Sequence, residues 1–189
     1  MRPMEERSIA AAIFGFVFAA ALAVAAEPVR PEFPSIELTD LSGQTVPLKN
    51  VLGTATVLNF WATWCGPCRL EMPELQKLSN ELGGKGLVVL AVNVDLPPAP
   101  EEVGVAGQLA VVKPHIEGFL TRSGITLPVF LVDGKTQMTL AINQIPFSVL
   151  LDRKGRVVRV YPGYSAESVQ DMRRQLLGLL AERSGKRGK

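Results

Sequence analysis

Residues 59–75 read NFWATWCGPCRLEMPEL, and both cysteines of the 189-residue chain, Cys65 and Cys68, lie inside this stretch. A C-x-x-C pair has four uses: a structural disulfide, one corner of a zinc site, a haem attachment point, or a redox couple. Zinc needs two further ligands, and the chain has a single histidine, His115, and no third cysteine. Haem attachment needs a histidine directly after the second cysteine, where Arg69 stands. A structural disulfide over two intervening residues closes a very short loop, which removes the least entropy from the unfolded chain. The redox couple uses every neighbour. The preceding run TATVLNFWA (54–62) is β-prone with almost no alternation, as in a strand buried on both faces of a parallel or mixed sheet. Pro67 suits the first turn of a helix, where its missing N–H is not needed. Cys65 therefore sits where a buried strand gives way to a helix. Its sulfur faces unpaired backbone amides at the positive helix end, which favours thiolate over thiol. Cys65 is the expected nucleophile. Cys68, one turn inward, is expected to attack the resulting mixed disulfide and release the reduced product.

Outward from this centre, the chain alternates strands and helices. IELTDLSGQTVPL (36–48) holds two short β-prone runs around a turn and predicts a hairpin. After the cysteines, Leu75, Leu78 and Leu82 recur at helical spacing until Gly83 and Gly84. GLVVLAVNVD (86–95) predicts a second buried strand, and a helical region between Glu101 and Arg122 is expected to be interrupted at Pro114. LPVFLVD (127–133) and a short segment over 135–143 follow. The pair FSVLLD (147–152) and RVVRVY (156–161) reads as a hairpin, and a final helix starts at Ser165 with Val169, Met172, Leu176 and Leu180 on one face. This order defines an α/β layer fold without internal repeats.

The first residues are different in kind. Ile9 to Ala26 carries no charge, follows Arg2 and Arg7, and ends in Ala23-Val24-Ala25, the small-x-small pattern of a signal peptidase site. Its length also suits an uncleaved membrane anchor. Residues 1–26 are thus read as signal peptide or anchor, 27–35 (EPVRPEFPS) as an extended linker, 36–185 as the folded domain and 186–189 as a basic tail. Both readings of the leader put the domain outside the cytoplasm, where disulfides persist. The net charge of +2, with 20% charged residues, excludes the clustered basic footprint of a nucleic-acid binder.

VLNFWATWCGPCRLEMPEL (57–75) resembles the active site of the thioredoxin superfamily, specifically its extracytoplasmic TlpA/ResA-like thiol-disulfide oxidoreductases. The resemblance extends to LTDLSGQTVPL (38–48) as the N-terminal hairpin addition, to Pro73 as the helix-kinking proline, and to NQIPFSVLLDRKGRVVRVYPGY (143–164) as the closing hairpin. It implies a thioredoxin-like fold, a central mixed sheet flanked by helices. It places the cis-proline at Pro146, after Ile145, so that the backbone of Ile145 turns outward for a substrate strand to pair beside the sulfurs. The alternative is an ordinary strand-initiating proline. Cytoplasmic thioredoxins carry a buried aspartate where this chain has Asn59. Glu71, three residues after Cys68, matches the acidic residue of the ResA-like branch and is assigned proton transfer to Cys68, against an exposed glutamate in a first helical turn. Trp61 is expected in the core, while Trp64, Gly66, Pro67 and Ile145 are expected on the substrate face. The stretch 94–119 is longer than in compact members of the family and is expected as an extra helix or loop near that face.

The implied activity is protein thiol-disulfide exchange, most simply reduction of disulfides in extracytoplasmic proteins such as apocytochrome c during cytochrome c maturation. A membrane electron donor of the CcdA or DsbD type is the implied partner, and no dissociable cofactor is called for because the dithiol carries the electrons. Nucleic acid is not expected as a partner, and membrane contact is expected only through residues 9–26 if they are retained. Rival readings are a disulfide-forming oxidase, a copper-binding chaperone using Cys65, Cys68 and His115, and a thiol peroxidase. The last needs an isolated reactive cysteine, which the W-C-G-P-C setting opposes.

Overall fold

Every residue of Ala55–Trp61 is buried, as the unbroken apolar run before the cysteines requires. The computed structural model describes residues 30–96 and 104–185. The leader, the start of the linker and the basic tail lie outside the described residues. In chain order the strands are β1 (Glu37–Asp40), β2 (Thr45–Pro47), β3 (Ala55–Trp61), β4 (Leu87–Asn93), β5 (Val129–Leu131), β6 (Phe147–Asp152) and β7 (Val157–Pro162). The helices are α1 (Gly66–Leu82), α2 (Gly104–Ser123), α3 (Gly134–Thr139) and α4 (Ala166–Gly185). One mixed sheet runs β2-β1-β5-β4-β3-β6-β7, with β3 parallel to β4 and antiparallel to β6.

The path from β3 through α1 to β4 and the path from β4 through α2 to β5 step in the same direction across the sheet. Right-handed crossovers therefore lay both helices on the same face. The larger core forms there, where Met72, Leu75 and Leu78 of α1, Ile116 and Phe119 of α2, and Met172 and Leu176 of α4 meet Val57, Val89 and Ala91. The opposite face buries Leu58, Phe60, Leu90, Val92, Val149 and Leu151 under Ile36, Leu48 and the partly buried Leu140 and Ile142. Alternation along β3 and β4 thus feeds two cores, and each fully buried Leu or Phe contributes about 1.5–3 kcal/mol.

One expectation changes. Pro114 does not interrupt α2, which runs through it. Proline removes one rung of the helix ladder, but Leu109, Val112, Ile116 and Phe119 continue the buried stripe across it, and that burial outweighs the lost bond. The described part of the linker is held against the domain: Phe33 N–H donates to Gly155 O at 3.0 Å, Val157 N–H donates to Pro31 O at 2.7 Å, and Arg30 pairs with Asp152 at 3.6 Å.

Candidate active site

The site forms where β3 ends and α1 begins. Trp61 is fully buried, and its ring packs tilted by 39° against Phe119 of α2 with centroids 4.9 Å apart, which fixes the exit of the strand. The connecting loop is held from two sides. Thr63 N–H donates to Asp95 Oδ2 at 2.9 Å, just beyond β4, and Arg69 Nη2 donates to Thr63 O at 2.9 Å from the first turns of α1. Asp95 is oriented in turn by Asn93, whose Nδ2 donates to Asp95 Oδ2 at 3.0 Å.

Cys65 caps α1: its extended backbone precedes the first helical residue, and Cys68 N–H donates to its Sγ at 3.2 Å. The sulfur thus accepts one of the amides left unpaired at a helix start, the geometry that stabilises a thiolate once the pair is reduced. Cys65 and Cys68 are joined by a disulfide with Sγ atoms 2.02 Å apart. Cys65 is 4% exposed and Cys68 fully buried, whereas Gly66 and Pro67 between them are exposed. Of the two cysteines only Cys65 reaches the surface. Trp64 is 70% exposed beside it.

Across the sheet, Pro146 stands directly before β6, which pairs with β3 through Phe60 and Phe147, so the Ile145-Pro146 peptide lies at the sheet end that also carries the cysteines. That peptide bond is cis. Pro146 is buried, and Ile145 packs on the cluster containing Cys65 and Cys68.

Glu71 is not an exposed helix-start glutamate: it is fully buried on the sheet side of α1. Asn59 Nδ2 donates to its Oε2 at 2.7 Å, Ser148 Oγ donates to its Oε1 at 3.2 Å, and Asn59 Nδ2 also reaches Ser148 Oγ at 2.9 Å. Asn59 and Ser148 are register partners in the β3–β6 ladder, so the sheet itself assembles the two donors under the helix. Burial pushes the Glu71 carboxyl up to about 7, and the hydrogen bonds from Ser148 and Asn59 oppose but do not cancel that rise. A carboxyl poised near neutrality can both give and take a proton at working pH. Asn59 Oδ1 is buried without a partner among the described residues.

Sequence reasoning brought Cys65, Cys68, Glu71, Trp64 and Pro146 to the site but missed Ser148, Asp95 and Arg69. The signals were faint. Asp95 follows the carboxyl end of a central parallel strand, the end of an α/β sheet where site residues gather. Ser148 is a lone polar residue at the start of an apolar strand. The 104–123 helix does lie beside the site, with His115 near Trp64 on a shared depression. Among the described residues no group of three or more His, Cys, Asp or Glu side chains converges to hold a metal ion.

A mixed sheet flanked by helices, with a C-x-x-C disulfide capping the helix after the central strand and a cis-proline at the neighbouring strand, defines a protein of the thioredoxin-like fold. The chain belongs to the AhpC/TSA family, whose pattern it matches over residues 29–177. It is 32% identical over 166 residues to thiol-disulfide oxidoreductase ResA of Geobacillus kaustophilus, covering 87% of this chain and 83% of that one. It is also 32% identical over 128 residues to ResA of Bacillus thuringiensis, a match covering 67% of this chain and about 65% of the relative's length. Among solved structures, a Chlorobium tepidum protein assigned as thiol:disulfide interchange protein DsbE superposes with a TM-score of 0.65 at 27% identity, covering 80% of this chain and 96% of that chain.

Proposed function

We propose that this protein is a thiol-disulfide oxidoreductase that reduces disulfides in exported proteins. The observation that carries the reading is the Cys65–Cys68 disulfide at the N-terminus of α1, with Cys65 on the accessible side and Cys68 buried behind it. In the reduced protein the Cys65 thiolate attacks a substrate disulfide. A bond forms between Cys65 Sγ and one substrate sulfur, the substrate S–S bond breaks, and the departing sulfur leaves as a thiolate that takes a proton from solvent. Cys68 then loses its proton to the ionised form of Glu71, one helical turn along α1, and attacks Cys65 Sγ. The Cys65–Cys68 bond forms, the Cys65–substrate bond breaks and the second substrate sulfur leaves as a thiolate that takes up the proton Glu71 gives back, so two electrons pass from the protein dithiol to the substrate. Trp64, Gly66, Pro67 and Ile145 line the approach.

The named relatives of thiol-disulfide oxidoreductase type support the exchange chemistry. Apocytochrome c, whose thiols must be reduced before haem attachment, is the proposed substrate class. The charge-free segment 9–26 supports export or anchoring on the outer face of the inner membrane. Among the described residues no helix is long and apolar enough to cross a membrane. A reductant in an oxidising compartment needs recharging, and a membrane donor of the CcdA or DsbD type supplies the electrons in this scheme.

Two measurements test the proposal. Equilibration against a glutathione buffer is expected to give a reduction potential near the thioredoxin end of the scale, about −270 mV, and a value near −120 mV makes the protein an oxidase instead. Cys65→Ser is expected to abolish insulin reduction and Cys68→Ala to accumulate mixed disulfides. Full activity in Cys65→Ser refutes the assigned nucleophile.

A further inference from the structure

Next to Trp64 a cleft of about 290 Å³ opens between the active-site loop and α2, and its walls include Arg69, His115, Phe119 and Arg122. Its cationic character is built in. Arg69 spends Nε and Nη2 on Thr63 O, at 3.3 and 2.9 Å, and so holds its guanidinium fixed at the cleft wall. Arg122 lies back along its own helix over Gly118, where an added Cβ would come within 3.1 Å of Nη1. Glycine within a helix is about 1 kcal/mol less favourable than alanine, and here it provides the space in which that guanidinium rests. Neither arginine meets a carboxylate among the described residues. Of the nearby acids, Asp95 accepts from Thr63 N–H and Asn93 Nδ2 and faces the adjoining depression on the far side of Thr63, and Glu117 pairs with Lys113 at 3.8 Å. Phe119, 8% exposed, closes the floor.

We propose that this cleft is a specificity pocket for an acidic side chain of the protein substrate, seated between Arg69 and Arg122 while the substrate cysteine is presented to Cys65 past Trp64. The inference rests on the exchange activity proposed above and adds what the active site selects. Two unpaired guanidiniums on one side of the exposed tryptophan attract a carboxylate and disfavour a lysine at the same position, so the pocket discriminates by attraction and by repulsion. A carboxylate accepts from guanidinium N–H groups in a fork geometry, which also sets the direction in which the substrate chain crosses the disulfide.

The test uses the reduced full chain and three otherwise identical disulfide peptides that carry Glu, Gln or Lys beside the cysteine, with kcat/KM compared within each protein. The wild type is expected to favour Glu over Gln by about fivefold, as for one partly exposed charge pair, and to disfavour Lys. The preference is expected to fall with added salt. Arg122→Gln is expected to bring the Glu-to-Gln ratio close to one, and Arg122→Glu to invert the order in favour of Lys. Equal rates with all three peptides in the wild type, or a Glu preference that survives in Arg122→Gln, overturn the pocket and leave the exchange activity standing. Failure of the wild type to exchange with any peptide, the neutral Gln peptide included, overturns the exchange reading itself and the pocket with it.

Discussion

Replacing Glu71 by Gln removes a buried ionisable group while keeping its shape, and the consequence for stability follows from the direction of its pKa. In the folded protein the carboxyl titrates at about 7 instead of the ordinary 4.5, because burial disfavours the charged form. A folded-state pKa above the unfolded value gives stability that is complete below pH 4.5 and is lost as the pH rises through 7. The displacement corresponds to roughly 3 kcal/mol between the two limits. The Glu71→Gln variant carries no such dependence at this site. Its side chain still accepts from Asn59, and its amide N–H finds Ser148 Oγ or the unpartnered Asn59 Oδ1 within the same cluster. Urea unfolding of both proteins in the disulfide form, from pH 4 to 9, isolates the group as a difference curve, because every other titrating side chain is common to the two. The difference is expected to be flat below pH 4.5 and to swing toward the variant by about 3 kcal/mol by pH 8. A difference curve that stays level across this range refutes the buried, neutral-leaning carboxyl and with it the proton-transfer role proposed for Glu71.

Three further outcomes follow from neighbouring contacts. Ser148→Ala removes one of the hydrogen bonds that restrain the rise of the Glu71 pKa, so the pH profile of disulfide exchange is expected to move to higher pH, read from initial rates between pH 5 and 9. Asn59→Asp places a second carboxyl 2.7 Å from the first, and is expected to destabilise the protein by about 3–5 kcal/mol at pH 8 and by much less at pH 5, where the pair holds its protons; urea midpoints at the two values check this. Phe119→Ala removes the ring packed at 4.9 Å against Trp61, with an expected loss of about 3 kcal/mol by the same assay and a blue-to-red shift in tryptophan fluorescence as the site-proximal core loosens.

What was legible in the amino-acid sequence is what depends on near neighbours along the chain. The Cys65 cap, Pro67 in the first turn and the Leu75, Leu78, Leu82 stripe lie within one helix, and their spacing alone specifies its start and its buried face. The unalternating run of β3 likewise announces a strand covered on both sides. Pro114 shows where local propensity fails: the residue argues for a break, and only the packing of Ile116 and Phe119 against the sheet decides for a continuous helix. Glu71 marks the same boundary at the site. Its place one turn after Cys68 is written in the sequence, but an exposed glutamate and a buried proton carrier have the same local pattern. The choice between them is made by the β3–β6 ladder, which sets Ser148 opposite Asn59 across 89 residues of chain and closes both over the carboxyl. The placing of Arg69 and Arg122 on one cleft is of this kind too, since α1 and α2 come together only because two right-handed crossovers leave them on one face. Spacing within an element is a short-range property of the chain, whereas desolvation and charge depend on which distant segments the sheet brings into contact.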